Sequence, residues 1–348
     1  MFESNSYLED LENQLNKIDL EKFKNKSILI TGAHGLICSY AIDLLIYANV
    51  SRNANIKIYA MSRNEEKLKN RFSYFFDSPL FVPVIQDVCN PCDLDDINYI
   101  IHGASNANPK LYVTDPVGTM NANYLGTLNM LNLAKKNDSR LLYISSGDVY
   151  GNVDDSSDYL KESDYGYVDI LNVRSSYASS KRASETLCSS YNSEYNVESL
   201  IVRPAHIYGP TCTKSDTRAV SDFINKAASG EDIIMKSDGS SVRSYCYVGD
   251  TVTGIFKVLS HGEACNSYNV SNNNNIISIK QLAEIICKYS DSHLIMEIPK
   301  DELGKKIDSN VKVIRLDSSK LESLGWYPDM DIESGIKLTL NVFKERKH

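Results

Sequence analysis

Ser27-Ile28-Leu29-Ile30-Thr31-Gly32-Ala33-His34-Gly35-Leu36-Ile37-Cys38 is the stretch from which the fold follows. An apolar run of strand length leads into a glycine-containing turn, and a helical pattern begins directly after it. A helix N-terminus presents free backbone N–H groups, and glycine lets a phosphate approach the backbone closely. The stretch therefore predicts a pyrophosphate cradle formed by Gly32, His34, Gly35, Leu36 and Ile37. Cys38 stands at the third small position, where a compact side chain is expected to fit.

Short apolar runs and helical patterns alternate along the chain after the cradle. Strands are predicted at residues 27–31, 56–61, 81–87, 99–104 and 140–145, and helices at residues 36–49, 65–72, 117–136 and 177–195. Such alternation is typical of βαβ units, which build a parallel sheet. After Val202 the elements become shorter, which predicts a smaller C-terminal lobe. We therefore expect a helical extension over residues 1–26, a dinucleotide-binding domain over 27–203 and a lobe over 204–348, with the chain able to cross between these two.

The helical extension carries Leu8, Leu11, Leu15 and Ile18 at three- and four-residue spacing. This spacing predicts an amphipathic helix. Its apolar face is expected either to dock on the flank of the domain or to pair with a second subunit.

Composition limits the partners of the chain. Of 348 residues, 42% are apolar and 24% charged, near the globular average, and the net charge is −8. A negative chain without a long basic block is not expected to bind nucleic acid or anionic lipid. No apolar stretch reaches the roughly 20 residues of a membrane-spanning helix. We expect a cytoplasmic protein whose partners are small molecules or other subunits.

The eight cysteines show neither a disulfide framework nor a zinc-binding set. Cys89 and Cys92 form a C-x-x-C pair, but there is no second pair or nearby histidine to complete four metal ligands. We therefore expect no metal, and free thiols or small core residues at these positions.

The residues at the end of the second predicted strand indicate which dinucleotide cofactor is preferred. NAD enzymes usually keep an acidic residue there for the ribose hydroxyls, whereas this chain has Ser62 and Arg63. An acidic side chain would repel a 2′-phosphate, and Ser62 with Arg63 could bind one. NADP is therefore favoured over NAD, although Arg63 could also be a plain surface charge. Asp87 and Val88, at the end of the third strand, are placed to hold the adenine ring.

Three residues indicate oxidoreductase chemistry. Tyr177 and Lys181 are one helical turn apart, and theirs is the only Tyr-x-x-x-Lys spacing in the sequence. Ser146 follows the strand that begins at Arg140, at the carboxyl edge where ligands of such folds bind. A phenol with a pKa of about 10 is a poor base, so Lys181 is expected to favour the tyrosinate. The alternative interpretation is that Tyr177 is an ordinary half-buried aromatic residue and Lys181 a solvated lysine without a catalytic role.

The motifs together resemble the extended short-chain dehydrogenase/reductase family. Besides the cradle, Ser146, Tyr177 and Lys181, the resemblance rests on His102-Gly103-Ala104-Ser105, Asn123-Tyr124-Leu125-Gly126-Thr127 and Arg203-Pro204-Ala205-His206-Ile207-Tyr208-Gly209-Pro210. Within that family the chain looks most like the nucleotide-sugar epimerase/dehydratase group. Asp115-Pro116 and Arg174-Ser175-Ser176-Tyr177 resemble its UDP-glucuronate decarboxylase branch in particular.

The resemblance implies an α/β fold, namely a Rossmann-type doubly wound parallel sheet with a smaller C-terminal α/β substrate lobe. It implies catalytic roles for Ser146, Tyr177, Lys181 and Asp148, the last at the position of a decarboxylase glutamate. The further residues implied at the cofactor are Ala104, Ser105, Asn123 and Pro204, besides Tyr177 and Lys181. Those implied at a nucleotide-diphosphate sugar are His206, Arg218 and Arg243. Related enzymes commonly form homodimers through the tyrosine-bearing helix and the helix before it.

Two departures from the family pattern affect the expected reaction. Family dehydratases carry an Asp-Glu pair where this chain has Gly147-Asp148, which argues against 4,6-dehydration. The family asparagine that holds the substrate is His206 here.

The leading interpretation is NAD(P)-dependent oxidoreduction of a nucleotide-activated sugar, through a keto sugar, for surface polysaccharide precursors. Alternatives are an NADPH-dependent reductase that converts a CDP-linked keto sugar to a CDP-alditol, a UDP-glucuronate decarboxylase, and a catalytically silent NAD(P)-binding sensor.

Overall fold

The computed structural model describes residues 2–153, 159–214, 216–298 and 315–346. Within these residues the strands are β1 (Ser27–Thr31), β2 (Lys57–Ser62), β3 (Phe81–Ile85), β4 (Tyr99–His102), β5 (Arg140–Ile144), β6 (Ser199–Pro204), β7 (His206–Tyr208), β8 (Ile233–Met235), β9 (Val242–Tyr247), β10 (Asn266–Val270), β11 (Ile276–Ser278) and β12 (Leu294–Met296). The helices are α1 (Asn5–Leu15), α2 (Leu36–Arg52), α3 (Glu65–Arg71), α4 (Leu111–Thr114), α5 (Pro116–Asn137), α6 (Ser176–Tyr195), α7 (Ala219–Ser229), α8 (Val248–His261), α9 (Ile279–Lys288), α10 (Ser319–Glu322) and α11 (Ile332–Glu345).

Seven strands form one sheet in the order β3-β2-β1-β4-β5-β6-β10. All neighbouring strands in this sheet are parallel. The chain reverses its direction of winding between β1 and β4, as in the Rossmann-type doubly wound sheet that the resemblance implies. In such sheets the crevice outside the carboxyl ends of the strands, at the point of reversal, binds ligands.

Helices cover both faces of this sheet. In β5, Leu141 and Tyr143 belong to a core shared with Met130 of α5, while Leu142 and Ile144 belong to the larger core on the other face. Successive strand residues point to opposite faces, so a strand covered on both sides is apolar throughout. This pattern confirms the doubly wound α/β fold.

The predicted strands and helices of the first 200 residues lie within a few residues of the observed ones. The main differences are at the carboxyl ends of two strands, because β3 ends at Ile85 and β4 at His102. Asp87 and Ala104 therefore lie in the loops that follow these strands.

The C-terminal part of the chain contributes to two regions. Strands β11, β9 and β7 form a three-stranded sheet, and β12 pairs with β8. In contrast, β10 joins β6 at the edge of the large sheet, and α8 packs against α2. The chain thus crosses from the small sheets back to the large one, while a domain boundary at residues 203 and 204 stays a prediction.

Helix α1 docks on the rest of the chain. It packs against α2, α8 and α11, and Tyr7, Leu11 and Leu15 are buried in the contact. The Tyr7 hydroxyl donates to Asp43, and Asp10 accepts hydrogen bonds from the hydroxyls of Tyr40 and Tyr247, each at 2.6 Å. The apolar face of this helix is therefore covered by its own chain.

Three further features concern membranes, metals and disulfides. No helix in the described ranges has the length and hydropathy to cross a membrane. Among the same residues no three His, Cys, Asp or Glu side chains cluster as metal ligands would. All eight cysteines are free thiols, including Cys89 and Cys92.

Candidate active site

A cavity of about 520 Å³ opens at the carboxyl edge of the large sheet. Its walls come from the turns after β1, β4 and β5, from the start of α6, and from β7 and β9 of the three-stranded sheet. The predicted catalytic and substrate-binding residues all line it, namely Ser146, Asp148, Tyr177, Lys181, His206, Arg218 and Arg243. The structure thus brings together side chains that are far apart in the sequence.

The predicted pyrophosphate cradle lines this cavity through Gly32, Gly35, Leu36 and Ile37. Gly32 has a φ of +70°, and a Cβ atom there would lie 2.9 Å from the carbonyl oxygen of Gly103. Both the backbone conformation and the close approach therefore require glycine. Gly35 is the N-cap residue of α2, so the free N–H groups of that helix begin at the cradle.

Cys38 fits at the third small position because residue 103 is glycine. A Cβ atom on residue 103 would overlap the Cys38 sulfur. The thiol is buried, and burial raises its pKa to about 12. Cys38 therefore acts as a neutral packing residue beneath the cavity.

Ser62, Arg63 and Asp87 meet at the ends of β2 and β3. Ser62 is buried, and its hydroxyl contacts His34 Nδ1 at 3.1 Å. Arg63 is 68% exposed and lies 3.7 Å from the Asp87 carboxylate. A backbone hydrogen bond from Cys89, and the Arg63 guanidinium, lower the pKa of Asp87, although partial burial opposes them. An anionic carboxylate thus stands beside the arginine predicted to bind a 2′-phosphate.

The residues around the cavity fit a nicotinamide dinucleotide. The Gly32 backbone lines the cavity without a side chain, which leaves room for a phosphate to approach it closely. Ser105 lines the cavity, and its Oγ is buried without a hydrogen-bond partner among the described residues, as expected where a polar ligand binds. Asn123 Oδ1 is also without a partner among these residues, but Asn123 is fully buried and does not line the cavity. Ala104 lies against Gly32, and Pro204 lines the cavity. When bound, the dinucleotide would accept or supply hydride.

Val88 and Asn123 are held by packing and hydrogen bonds. Val88 is buried against Gly126, and its carbonyl accepts a hydrogen bond from Asn129. The Asn123 amide donates to Ser180 in α6 at 2.9 Å. This bond fixes α5 against the helix that carries the tyrosine and lysine.

Lys181 is almost fully buried beneath the cavity. Its Nζ donates to the Ile144 carbonyl at 2.7 Å and lies 5.7 Å from the centre of the Tyr177 ring. Burial lowers the pKa of Lys181 to about 7, although Glu185 opposes the shift. The amine therefore changes its charge near neutral pH.

The sequence predicts that Lys181 lowers the pKa of the Tyr177 phenol, but the structure indicates the opposite shift. Burial raises the pKa of Tyr177, and the Asp148 carboxylate raises it further. The Ser146 hydroxyl lowers it by hydrogen bonding to the phenol. The pKa of Tyr177 is therefore shifted in the direction opposite to the expected one, because the same burial that brings Lys181 close also removes water from both groups.

Asp148 and His206 face the cavity from two sides. Both are open to solvent within the cavity, yet protein atoms surround them on most sides. Burial therefore raises the pKa of Asp148, with Lys181 and Arg243 opposing the shift. Burial and the two nearby arginines lower the pKa of His206 to about 4, so its imidazole is neutral at pH 7. A neutral imidazole offers one donor and one acceptor.

The two arginines differ in how their charge is compensated. Arg218 pairs with Asp216, with Nη2 to Oδ2 at 2.5 Å and Nε to Oδ1 at 3.0 Å. Arg243 donates to the Val242 carbonyl at 2.8 Å and has no carboxylate ion pair among the described residues. Arg243 therefore has the more available charge for an anionic substrate.

Two features of the site were not predicted from the sequence. Tyr112 stacks on Tyr177, with ring centres 4.5 Å apart and planes at 9°. Arg203 is buried and pairs with Glu185 of α6. Arg203 belongs to a motif quoted above, so a signal for it existed. Nothing in the spacing around Tyr112 indicates its contact.

Solved structures of similar fold support the architecture. UDP-glucose 4-epimerase of Thermotoga maritima has a TM-score of 0.74 at 22% identity, over 92% of this chain and all of that chain. The dTDP-glucose 4,6-dehydratase DesIV of Streptomyces venezuelae, solved with NAD, has a TM-score of 0.76 at 20% identity, over 92% of this chain and 98% of the other.

Sequence comparison gives nearer relatives. UDP-glucuronic acid decarboxylase 6 of Arabidopsis thaliana is 31% identical over 325 residues, 92% of this chain and 90% of the relative. UDP-glucuronic acid decarboxylase 1 of Xenopus tropicalis is 29% identical, over 94% of this chain and 75% of the relative. These matches confirm the predicted resemblance to the decarboxylase branch. Residues 28–271 match the model of the NAD dependent epimerase/dehydratase family, and this chain belongs to that family of enzymes.

Proposed function

We propose that this enzyme carries out NAD(P)-dependent oxidoreduction at a carbinol carbon of a nucleotide-diphosphate sugar, through a keto sugar, in the synthesis of surface polysaccharide precursors. The observation that carries the proposal is the meeting of Ser146, Tyr177 and Lys181 with two arginines in one cavity. The three side chains supply acid–base groups, and the arginines supply charge for a diphosphate.

Each side chain has a specific role in this proposal. Tyr177, in its phenolate form, accepts the proton of the sugar hydroxyl during oxidation and, as the neutral phenol, returns it during reduction. Ser146 donates a hydrogen bond to the reacting oxygen. Lys181, which changes its charge near pH 7, supplies positive charge beside the phenol when protonated. Arg243 binds a phosphate of the substrate, and Arg218 and His206 complete the wall around it.

The first test removes the proposed acid–base group. Purified protein is denatured to identify any released cofactor, and turnover is then measured with UDP-, GDP-, CDP- and dTDP-sugars. The Tyr177→Phe variant is expected to lose about 100-fold or more in kcat, because general acid–base catalysis contributes about that much. The exposed Tyr327→Phe serves as the matched control. Unchanged turnover by Tyr177→Phe would remove Tyr177 as the acid–base group. A wild type that binds NAD(P) but turns over none of these sugars would instead favour the silent NAD(P)-binding sensor.

Decarboxylation of UDP-glucuronate is the most specific candidate reaction. The relatives that are 31% identical are named for it. The resemblance to this branch also implies that Asp148 stands at the position of its glutamate. With NAD⁺ added, the expected products from UDP-glucuronate are CO₂ and a UDP-pentose, and Asp148→Asn should slow their release. If no CO₂ is released while NADPH is consumed with a CDP-linked keto sugar, the reductase alternative holds.

The cofactor preference is proposed to be NADP, and it depends on Arg63. Its exposed guanidinium is free to swing toward a 2′-phosphate, but the neighbouring Asp87 competes for it. We expect Arg63→Ala to raise the Michaelis constant for NADPH and to leave that for NADH nearly unchanged. A wild-type preference for NADH would remove the NADP proposal and leave the rest of the site intact.

A further inference from the structure

Tyr112 lies directly against the proposed acid–base residue. Its ring is nearly parallel to that of Tyr177, with planes at 9° and centres 4.5 Å apart, which is an offset stack. Tyr177 itself is buried, and Lys181 Nζ lies 5.7 Å from the centre of its ring. The phenol therefore has both a second aromatic ring and an amine as neighbours.

The segment that carries Tyr112 is tied to two other parts of the site. The Ser176 hydroxyl, next to Tyr177, donates to the Tyr112 carbonyl at 3.2 Å. On the other side, the Thr217 hydroxyl donates to Asn108 Oδ1 at 2.9 Å, and the same oxygen caps the backbone N–H of Lys110. Thr217 precedes Arg218. The segment from Asn108 to Tyr112 thus bridges the helix of the catalytic tyrosine and the wall that carries an arginine.

The hydroxyl of Tyr112 also affects the phenol electrostatically. Hydrogen bonding from Tyr112 lowers the pKa of Tyr177, against the larger effect of burial. Burial and the neighbouring phenol raise the pKa of Tyr112. The Tyr112 hydroxyl therefore keeps its proton near neutral pH and can act as a donor to the phenol of Tyr177.

We propose that Tyr112 is a positioning residue for Tyr177, whose ring fixes the plane of the catalytic phenol and whose hydroxyl stabilises the phenolate. The reaction in which this matters rests on the proposed function, but the interaction between the two phenols does not. Stabilisation of a charged acceptor by one donor changes its protonation equilibrium about tenfold.

The test measures the phenol at position 177 directly. Difluorotyrosine, whose phenol is more acidic than that of tyrosine, replaces Tyr177, and fluorine NMR follows its ionisation against pH in the full chain with NAD⁺ added. Tyr112→Phe keeps the ring and removes the hydroxyl, and Tyr112→Leu removes both. The control is Tyr327→Phe, an exposed tyrosine outside the cavity.

Tyr112→Phe is expected to raise the pKa of residue 177 by about one unit, and Tyr112→Leu to raise it at least as much and to broaden the resonance. In the otherwise unmodified enzyme, the pH profile of kcat should shift in the same direction. An unchanged pKa in Tyr112→Phe overturns the proposal, as does a change confined to the Michaelis constant of the sugar. Because the titration needs no substrate, it decides the role of Tyr112 even if no sugar is turned over.

Discussion

At the scale of single residues, Lys181 combines a proposed catalytic role with a cost in stability. Its side chain is 2% exposed, and burial lowers its pKa to about 7. The unfolded chain therefore binds one more proton than the folded chain between about pH 7 and the ordinary lysine value of about 10.4. In that interval the contribution of Lys181 makes the folded state more stable as the pH rises, by about 1.4 kcal/mol for each unit of pKa difference.

Lys181→Met removes this titration and the charge. Relative to the wild type, the variant should be most stable near or below pH 7 and should lose that advantage as the pH rises toward 10. The lost hydrogen bond to the Ile144 carbonyl offsets part of the gain at every pH. Urea unfolding at several pH values measures the difference, with the exposed Lys337→Met as control. A difference that does not vary with pH would show that Lys181 is not buried as the structure has it.

The site illustrates which contacts a sequence can predict. Tyr177 and Lys181 are neighbours on one helix, so their spacing alone predicts that they share a face. Their pKa directions were not predictable in this way, because burial depends on segments from elsewhere in the chain. Tyr112 is separated from Tyr177 by a strand and a long helix, so only the folded structure shows that their rings stack.

At the scale of elements, a buried ion pair connects the sheet to the helix that carries Tyr177. Arg203 of β6 is 1% exposed, and its Nη2 lies 2.6 Å from Glu185 Oε2 of α6. Arg203 also donates to the Tyr150 hydroxyl and to the Glu162 carbonyl. The Ser145 hydroxyl, next to Ser146, donates to the same carboxylate. The ion pair therefore fixes α6 relative to the end of β5.

Arg203→Met is expected to cost about 3–5 kcal/mol in the free energy of unfolding, because it leaves the Glu185 carboxylate buried without its partner. The double variant Arg203→Met with Glu185→Leu should recover much of that loss, since it removes both charges. Denaturant unfolding of the two single variants and the double variant gives the coupling between them. Strictly additive losses would contradict the ion pair as the link between the two elements.

The elements themselves were predictable to different degrees. Strands β1 to β5 were predicted because each has a local apolar run, and the intervening helices have their own periodicity. The sequence indicated that the chain could cross between the lobes, but not that β10 would do so. The pairing of β10 with β6 joins distant segments, and β10 begins with a polar pattern, Asn266-Ser267, that does not suggest a strand of the large sheet.

At the scale of the whole molecule, an apolar stripe on α5 remains uncovered. Val117, Met120 and Tyr124 recur at three- and four-residue spacing and are 68%, 45% and 41% exposed. Ile170 and Leu171, in the segment before α6, are 79% and 93% exposed. Exposed apolar patches commonly mark protein interfaces. These residues support the predicted homodimer through α5 and α6, which stays a prediction.

Placing charges on this stripe should separate the subunits. The double variant Met120→Glu with Tyr124→Glu is expected to be monomeric by light scattering at concentrations where the wild type is dimeric, because buried unpaired carboxylates oppose association. Val50→Glu, on α2 and 60% exposed, should leave the dimer intact because the exposed stripe on α5 is unchanged. A wild type that is monomeric at every concentration would contradict the predicted homodimer. If the double variant stays dimeric, the dimer interface does not include this stripe on α5.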